Sequence, residues 1–160
     1  MIRAEGLPRP AMRAADVRAR ADRMLRAMRL EPCELSIVLC DDATIATLNR
    51  EYRRKSGPTD VLAFAMHEGE GGFFVGMHAH VLGDVVISLE TAARQAREHA
   101  RSLEDEVTML LAHGVLHLLG LDHRDRTEER RMIACTDLLR SAARPPRRAS
   151  RSARTPSRSL

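Results

Sequence analysis

Residues 103–120, LEDEVTMLLAHGVLHLLG, are apolar nearly all round after Val107. A helix with apolar side chains on every face is normally buried, so this run predicts the central helix of the fold. The same run carries His113 and His117, and His123 follows a Gly at position 120 that can end the helix. Because a buried imidazole needs a polar partner, these histidines constrain both where the helix lies and what it does.

The spacing of the three histidines suits a metal. His113 and His117 are four residues apart and project from one face of a helix, and a turn at Gly120 allows His123 to fold back toward them. Three histidines with a fourth position left to water are typical of catalytic zinc. We therefore predict one zinc per chain, with zinc-bound water as the catalytic group. The alternative for His113 and His117 alone is two ordinary helix histidines.

Neighbouring residues refine this interpretation. Metallopeptidases of the H-E-x-x-H type carry their general base after the first histidine, where this chain has Gly114, so the pattern disfavours a peptidase. Asp122 either orients a metal ligand or satisfies amides of the turn, and both readings stay open. We interpret His78 and His80 as loop histidines, because the glycine-rich loop at 69–76 is a poor platform for ligands.

The rest of the chain shows local patterns of helices and strands. Apolar spacing predicts helices at 11–29, 42–54, 91–100 and 128–140 in addition to the central helix. In the second of these, Ile45, Leu48 and Tyr52 are predicted to form the buried stripe, and Asp41 or Asp42 to cap its start. Branched apolar runs predict strands at 34–40, 61–64 and 81–89. Residues 1–10 look like a short leader that contains prolines.

Composition limits the functions open to the chain. Its 160 residues suffice for one domain, and with three Phe, one Tyr and no Trp it lacks the rings for a stacking platform of the RRM or OB type. The three cysteines form no metal or disulfide pattern, and no apolar segment is long enough to span a membrane. We predict a domain over 1–142, a disordered basic tail over 143–160, and a cytoplasmic location.

Three motifs in order resemble one family. They are H-G-x-L-H-L-x-G-x-D-H at 113–123, NREYRRKSGPTDVLAF at 49–64 and LGDVVIS at 82–88, and together they resemble the YbeY family of bacterial rRNA-maturation endoribonucleases over residues 35–140. The resemblance implies a single α+β domain with a small mixed sheet and a zinc held by His113, His117 and His123. It also implies cleavage of single-stranded RNA, with a role in maturing 16S-type rRNA of the small ribosomal subunit and in ribosome quality control.

The resemblance also assigns Arg53, in the motif Y-R-x-K, as the functional arginine. A guanidinium can hold a phosphate through two parallel hydrogen bonds, which suits a role at the scissile phosphodiester. A surface salt bridge is the alternative, and the sequence alone does not separate Arg53 from Arg50 and Arg54. Ala63 and Ala65 depart from the family pattern, which usually has Ser and Pro at these positions.

The histidine pattern and the resemblance together predict a zinc-dependent endoribonuclease whose RNA substrate lies in the groove between the sheet and the central helix. Its predicted partners are rRNA, the small ribosomal subunit, and a ribosome-assembly GTPase or a small-subunit ribosomal protein, with neither membrane nor DNA. One alternative is a non-catalytic ribosome-assembly factor with a structural metal. Another is a metal-dependent hydrolase of a different substrate, including peptides. No residue is identified as the general base.

Overall fold

The computed structural model describes residues 2–4, 12–66, 81–121 and 125–145. Its strands are β1 (Ile2–Ala4), β2 (Glu34–Cys40), β3 (Val61–Ala65) and β4 (Val81–Ser88), and its helices are α1 (Ala14–Ala27), α2 (Asp42–Arg53), α3 (Leu89–Glu98), α4 (Leu103–Leu118) and α5 (Arg126–Ala143). The predicted α+β class with a small mixed sheet is confirmed.

The sheet has four strands in the order β1-β2-β4-β3. The pairs β1·β2 and β2·β4 are parallel, whereas β3 runs antiparallel to β4. Strand β1 lies within residues 1–10, where the sequence pattern predicts a short leader and no strand. It pairs with the middle of β2, where Ile2 lies opposite Ile37 and Ala4 opposite Leu39. Strands β2, β3 and β4 lie where the sequence patterns predict them.

The two faces of the sheet are covered by different helices. On one face, Val85 and Ile87 of β4 belong to the main core with buried residues of α1, α4 and α5. On the other face, Val86 packs with Ile45 of α2 and Leu62 of β3 in a smaller cluster. Side chains of a strand alternate between faces, so β4 contributes to both cores. Helix α4 is the central buried helix, as predicted.

Side-chain caps begin α2, where the sequence predicts one, and α4. Asp41 accepts a hydrogen bond from the backbone N–H of Thr44 at 2.8 Å, so it is Asp41 rather than Asp42 that caps α2. Ser102 accepts from the N–H of Asp105 at 3.1 Å at the start of α4. Gly120, with φ of +83°, follows the end of α4 in the left-handed region that glycine adopts without strain.

Asp42 instead joins α2 to α3. Its carboxylate accepts hydrogen bonds from the hydroxyls of Ser88 (2.5 Å) and Thr91 (2.6 Å) and from the Arg94 guanidinium (2.7 Å). Burial of the carboxyl opposes ionisation, but these three donors outweigh it and hold the pKa of Asp42 below its ordinary value. We call this set the Asp42 network. It links the N-terminal ends of the two helices through an ionised carboxylate.

One part of the predicted buried stripe of α2 is wrong. Ile45 is fully buried and Leu48 is partly buried, but Tyr52 is 65% exposed. Its ring makes an edge contact with Phe64 of β3, which is itself partly buried against the smaller cluster.

The C-terminal end of the described chain bears on the predicted domain boundary. Helix α5 continues to Ala143, which is fully buried and whose carbonyl accepts a hydrogen bond from Arg23 Nε at 2.7 Å. Residues 146–160, most of the predicted tail, lie outside the described residues, as do the loop at 69–76 and the histidines within 67–80. The disordered tail stays a prediction. No helix in the described part of the chain is long and apolar enough to cross a membrane.

Candidate functional site

Helix α4 brings His113 and His117 together as their spacing predicts. The two side chains are half-buried in a helix whose neighbouring residues are largely buried. Their rings lie 4.6 Å apart, nearly perpendicular at 81°, and the two Nε2 atoms approach to 3.1 Å. The two Nε2 atoms therefore lie side by side, at a distance that suits one shared ion or a direct hydrogen bond between the two imidazoles.

This geometry fits two ligands of one zinc. With Zn–N bonds of about 2.0–2.1 Å and tetrahedral angles, two ligand nitrogens stand about 3.3 Å apart. The observed separation of 3.1 Å is close to that value. His123 and Asp122 lie outside the described residues, and within the residues that are described no group of three His, Cys, Asp or Glu side chains could hold a metal. The third ligand therefore stays a prediction.

Gly114 explains how this helix lies so close to the sheet. A Cβ atom at this position would lie 2.7 Å from Val85 Cγ1 on β4 and 3.3 Å from Val61 Cγ2 on β3. Real Cβ atoms essentially never show the first of these distances, so a larger residue would require α4 or Val85 to move. Gly114 thus positions its neighbour His113 relative to β3 and β4. The sequence showed only that a glycine replaces the glutamate of peptidases, and it gave no signal for this contact.

Arg53 lies in the last turn of α2, and its side chain reaches β3. Its Nη2 donates a long hydrogen bond of 3.4 Å to the backbone carbonyl of Ala63. The residue is exposed, and no carboxylate among the described residues forms an ion pair with it. The alternative of a surface salt bridge therefore finds no partner in the described part of the chain. Arg54, by contrast, forms the left-handed C-cap of α2 with φ of +54°.

Strand β3 relates Arg53 to the histidine pair. Ala63, which accepts from Arg53, pairs with Val85 in the antiparallel ladder. Val85 in turn contacts α4 at Gly114, the residue after His113. Helix α2 approaches this strand from one face of the sheet and α4 from the other. The structure thus brings both predicted elements of the site to the same edge strand.

The buried carboxylate of Glu106 is a feature of α4 that the sequence patterns did not predict. Its side chain is 0% exposed and accepts from Arg101 Nη1 at 3.4 Å, and His99 Nδ1 lies 3.3 Å from its other oxygen. Glu106 is seven residues before His113 and so occupies the same face of α4. Its partners fix the connection between α3 and α4 to the first half of the histidine helix. Glu104 and Asp105 precede it, so in the sequence Glu106 looks like part of an ordinary acidic first turn, and only its place seven residues before His113 could have revealed it.

Known proteins resemble this chain over most of its length. The chain matches the family model described as endoribonuclease YbeY over residues 10–143. It is 50% identical over 116 residues to the endoribonuclease YbeY of Syntrophotalea carbinolica, covering 71% of this chain and 75% of that protein. It is also 50% identical over 109 residues to that of Aquifex aeolicus, covering 68% and 69% of the two chains.

A solved structure agrees with the fold. A Thermotoga maritima protein whose solution structure is known superposes with a TM-score of 0.60 at 22% identity, and the match covers 89% of both chains. That likeness bears on the fold alone. The sequence matches, by contrast, span the segments that carry Arg53 and the histidine pair, and they extend over most of the chain. The chain belongs to the endoribonuclease YbeY family.

Proposed function

We propose that this protein is a zinc-dependent endoribonuclease that cleaves single-stranded RNA, in the maturation of 16S-type rRNA and in ribosome quality control. The approach of His113 Nε2 and His117 Nε2 to 3.1 Å carries the proposal, because two imidazoles held this way on a buried helix suit a metal. The names of the relatives support RNA as the substrate. The proposed partners are the small ribosomal subunit and a ribosome-assembly GTPase or small-subunit ribosomal protein.

The metal would be held by His113, His117 and His123. When bound, a zinc ion supplies Lewis acidity, which lowers the pKa of water and polarises a phosphoryl oxygen. The chain's own contribution is a rigid orientation of the imidazoles. The backbone of α4 is packed against β4 at Gly114 and anchored at its first half through Glu106, so the ligand side chains have little freedom to separate.

Arg53 would bind the phosphodiester. A guanidinium has five N–H donors in a planar fork, and the hydrogen bond to the Ala63 carbonyl engages one end of it. Within the described residues the remaining donors have no acceptor, so they can hold two oxygens of a phosphate, and the positive charge offsets the negative charge that develops on those oxygens during cleavage. The contact with β3 restricts the side chain, so less conformational entropy is lost when the phosphate binds.

The proposal is tested with purified full-length protein and an end-labelled RNA, offered single-stranded or annealed to its complement. We expect cleavage of the single strand, its loss on chelation, and its recovery on addition of zinc. His117→Ala should abolish cleavage and lower the metal content from about one per chain. His99→Gln is the matched control, because it also removes an imidazole but keeps a polar group beside Glu106.

Two results would contradict the proposal. Metal-loaded protein that binds RNA without cleaving it would identify a non-catalytic assembly factor. Full metal content in His117→Ala would remove the histidine site itself. The rRNA role is tested separately by comparing a precursor of small-subunit rRNA with an unrelated single strand of equal length. Equal rates at all positions of both RNAs would refute the proposed role in rRNA maturation.

A further inference from the structure

Tyr52 is a large aromatic side chain at an exposed position, where the sequence pattern predicted burial. It is 65% exposed, and its ring centroid lies 5.1 Å from that of Phe64 with the planes inclined at 66°. This edge contact holds one part of the Tyr52 ring against β3 while most of the side chain stays open to solvent. A single exposed aromatic residue is common, so its significance depends on what surrounds it.

The surroundings of Tyr52 are cationic. The segment 50–55 is REYRRK, in which Glu51 is the only acid, and all six residues are exposed. Arg53 is the next residue in the chain, and its guanidinium reaches the Ala63 carbonyl, beside the Phe64 that the Tyr52 ring contacts. An exposed ring within a group of exposed cations matches the chemistry of a single-stranded nucleic acid, which presents phosphates and base faces together.

We propose that Tyr52 stacks on an RNA base adjacent to the phosphate that Arg53 holds. The inference rests on the proposed function, since it takes single-stranded RNA as the ligand of this surface. Tyr52 and Arg53 are both anchored to neighbouring residues of β3, so a strand whose phosphate lies on the guanidinium has a base within reach of the ring. A paired base cannot turn onto a protein ring without leaving its partner, so this contact selects unpaired RNA.

The low aromatic content of the chain does not oppose this assignment. Platforms of the RRM or OB type need several rings, which the chain lacks, whereas one stacked base needs only one. Stacking is tolerant of base identity because every base has a π face. Tyr52 would therefore favour single strands without imposing a sequence.

Steady-state cleavage by the metal-loaded protein tests the contact. We expect Tyr52→Leu to raise KM for a single-stranded RNA by roughly 5- to 150-fold, the range that corresponds to one base–aromatic stack, and to leave kcat and metal content nearly unchanged. Tyr52→Phe keeps the ring and should recover most of the lost affinity. Leu138→Ala on α5 is the control, because Leu138 is another exposed apolar side chain, at 70% exposure.

RNAs with a single abasic nucleotide locate the stacked base. At one position relative to the cleaved bond, the missing base should raise KM for the wild type but cause no further rise in Tyr52→Leu. The chain also offers a direct signal, since Tyr52 is its one tyrosine and it has no tryptophan. Stopped-flow mixing with the RNA should quench tyrosine fluorescence before cleavage, and the abasic RNA should quench it less.

The possible failures are distinguishable. If the wild type cleaves RNA while Tyr52→Leu keeps a normal KM, or if abasic nucleotides act equally in both proteins, the stacking assignment is overturned and the endoribonuclease stands. If the wild type does not cleave but tyrosine fluorescence is quenched in a base-dependent manner, the stacking contact stands and the catalytic proposal fails. The stacking assignment is also overturned if added salt reduces the quenching of tyrosine fluorescence but the abasic RNA quenches it as strongly as the intact RNA. That result would indicate contacts with phosphates alone.

Discussion

Replacement of Gly114 by alanine tests whether close packing of α4 on the sheet builds the site. The added methyl group would lie 2.7 Å from Val85 Cγ1, 3.2 Å from Val85 Cγ2 and 3.3 Å from Val61 Cγ2. Val85 is fully buried and has a branched Cβ, so it has no open space to turn into and few rotamers to choose from. The helix must therefore shift, or the valine must adopt a strained conformation.

The expected loss of stability follows from two opposed effects. An extra methyl group in a well-packed core costs about 1–3 kcal/mol, whereas alanine in place of glycine stabilises a helix interior by about 1 kcal/mol. We expect a net decrease of roughly 1 kcal/mol in the free energy of unfolding of Gly114→Ala. Val85→Ala alone should cost about 2 kcal/mol, because it leaves a cavity. In the double variant the new methyl group occupies part of that cavity, so the loss should fall short of the sum by about 1 kcal/mol or more.

Urea unfolding of the wild type, the two single variants and the double variant measures this coupling at fixed pH and metal concentration. Ala134→Gly at an exposed position of α5 is the control, since it measures the difference in helix propensity between alanine and glycine without a steric contact. The zinc affinity should fall in the two single variants and, in the double variant, fall by less than the sum of the two losses, because His113 and His117 move with the helix. Additive losses, within about 0.3–0.5 kcal/mol, would refute the argument that Gly114 and Val85 limit each other.

Three further predictions concern charged groups. Arg53→Ala should slow RNA cleavage by roughly 10²-fold with unchanged metal content and Tm, whereas Arg53→Lys should recover part of the rate and Arg50→Ala should have a much smaller effect. Normal cleavage by folded Arg53→Ala would show that Arg53 does not hold the phosphate. The ionised Asp42 network stabilises the fold above about pH 4 and loses this contribution as the pH falls through the lowered pKa of Asp42. The difference in free energy of unfolding between the wild type and Asp42→Asn should therefore shrink in acid. A difference that stays constant down to about pH 2 would contradict this prediction. Removal of residues 146–160 should leave the fold and metal content intact and reduce RNA affinity mainly at low salt, whereas identical salt slopes would show that the tail has no contact with phosphate.

Local signals account for what the sequence predicted correctly. The cap at the start of α2 and the strand β2 each depend on residues within one short segment, and so does the spacing of His113 and His117. The short strand β1 could not be predicted this way, since it is defined by pairing with β2 rather than by its own three residues. Helical periodicity likewise gives the face on which Tyr52 lies but not how far the sheet extends beneath it. The place of His123 stays a prediction.

Strand β3 also explains why two departures from the family pattern are compatible with the site. The family usually carries Ser and Pro where this chain has Ala63 and Ala65. Arg53 donates to the backbone carbonyl of Ala63, so the anchoring contact does not depend on the side chain at that position. Ala63 packs against the main core, where a small apolar group is suitable, and Ala65 pairs with Gly83 at the end of the strand. Because this contact uses the backbone of β3 rather than these two side chains, Ala63→Ser should leave the rate of RNA cleavage unchanged, and a loss of rate in that variant would contradict this reasoning.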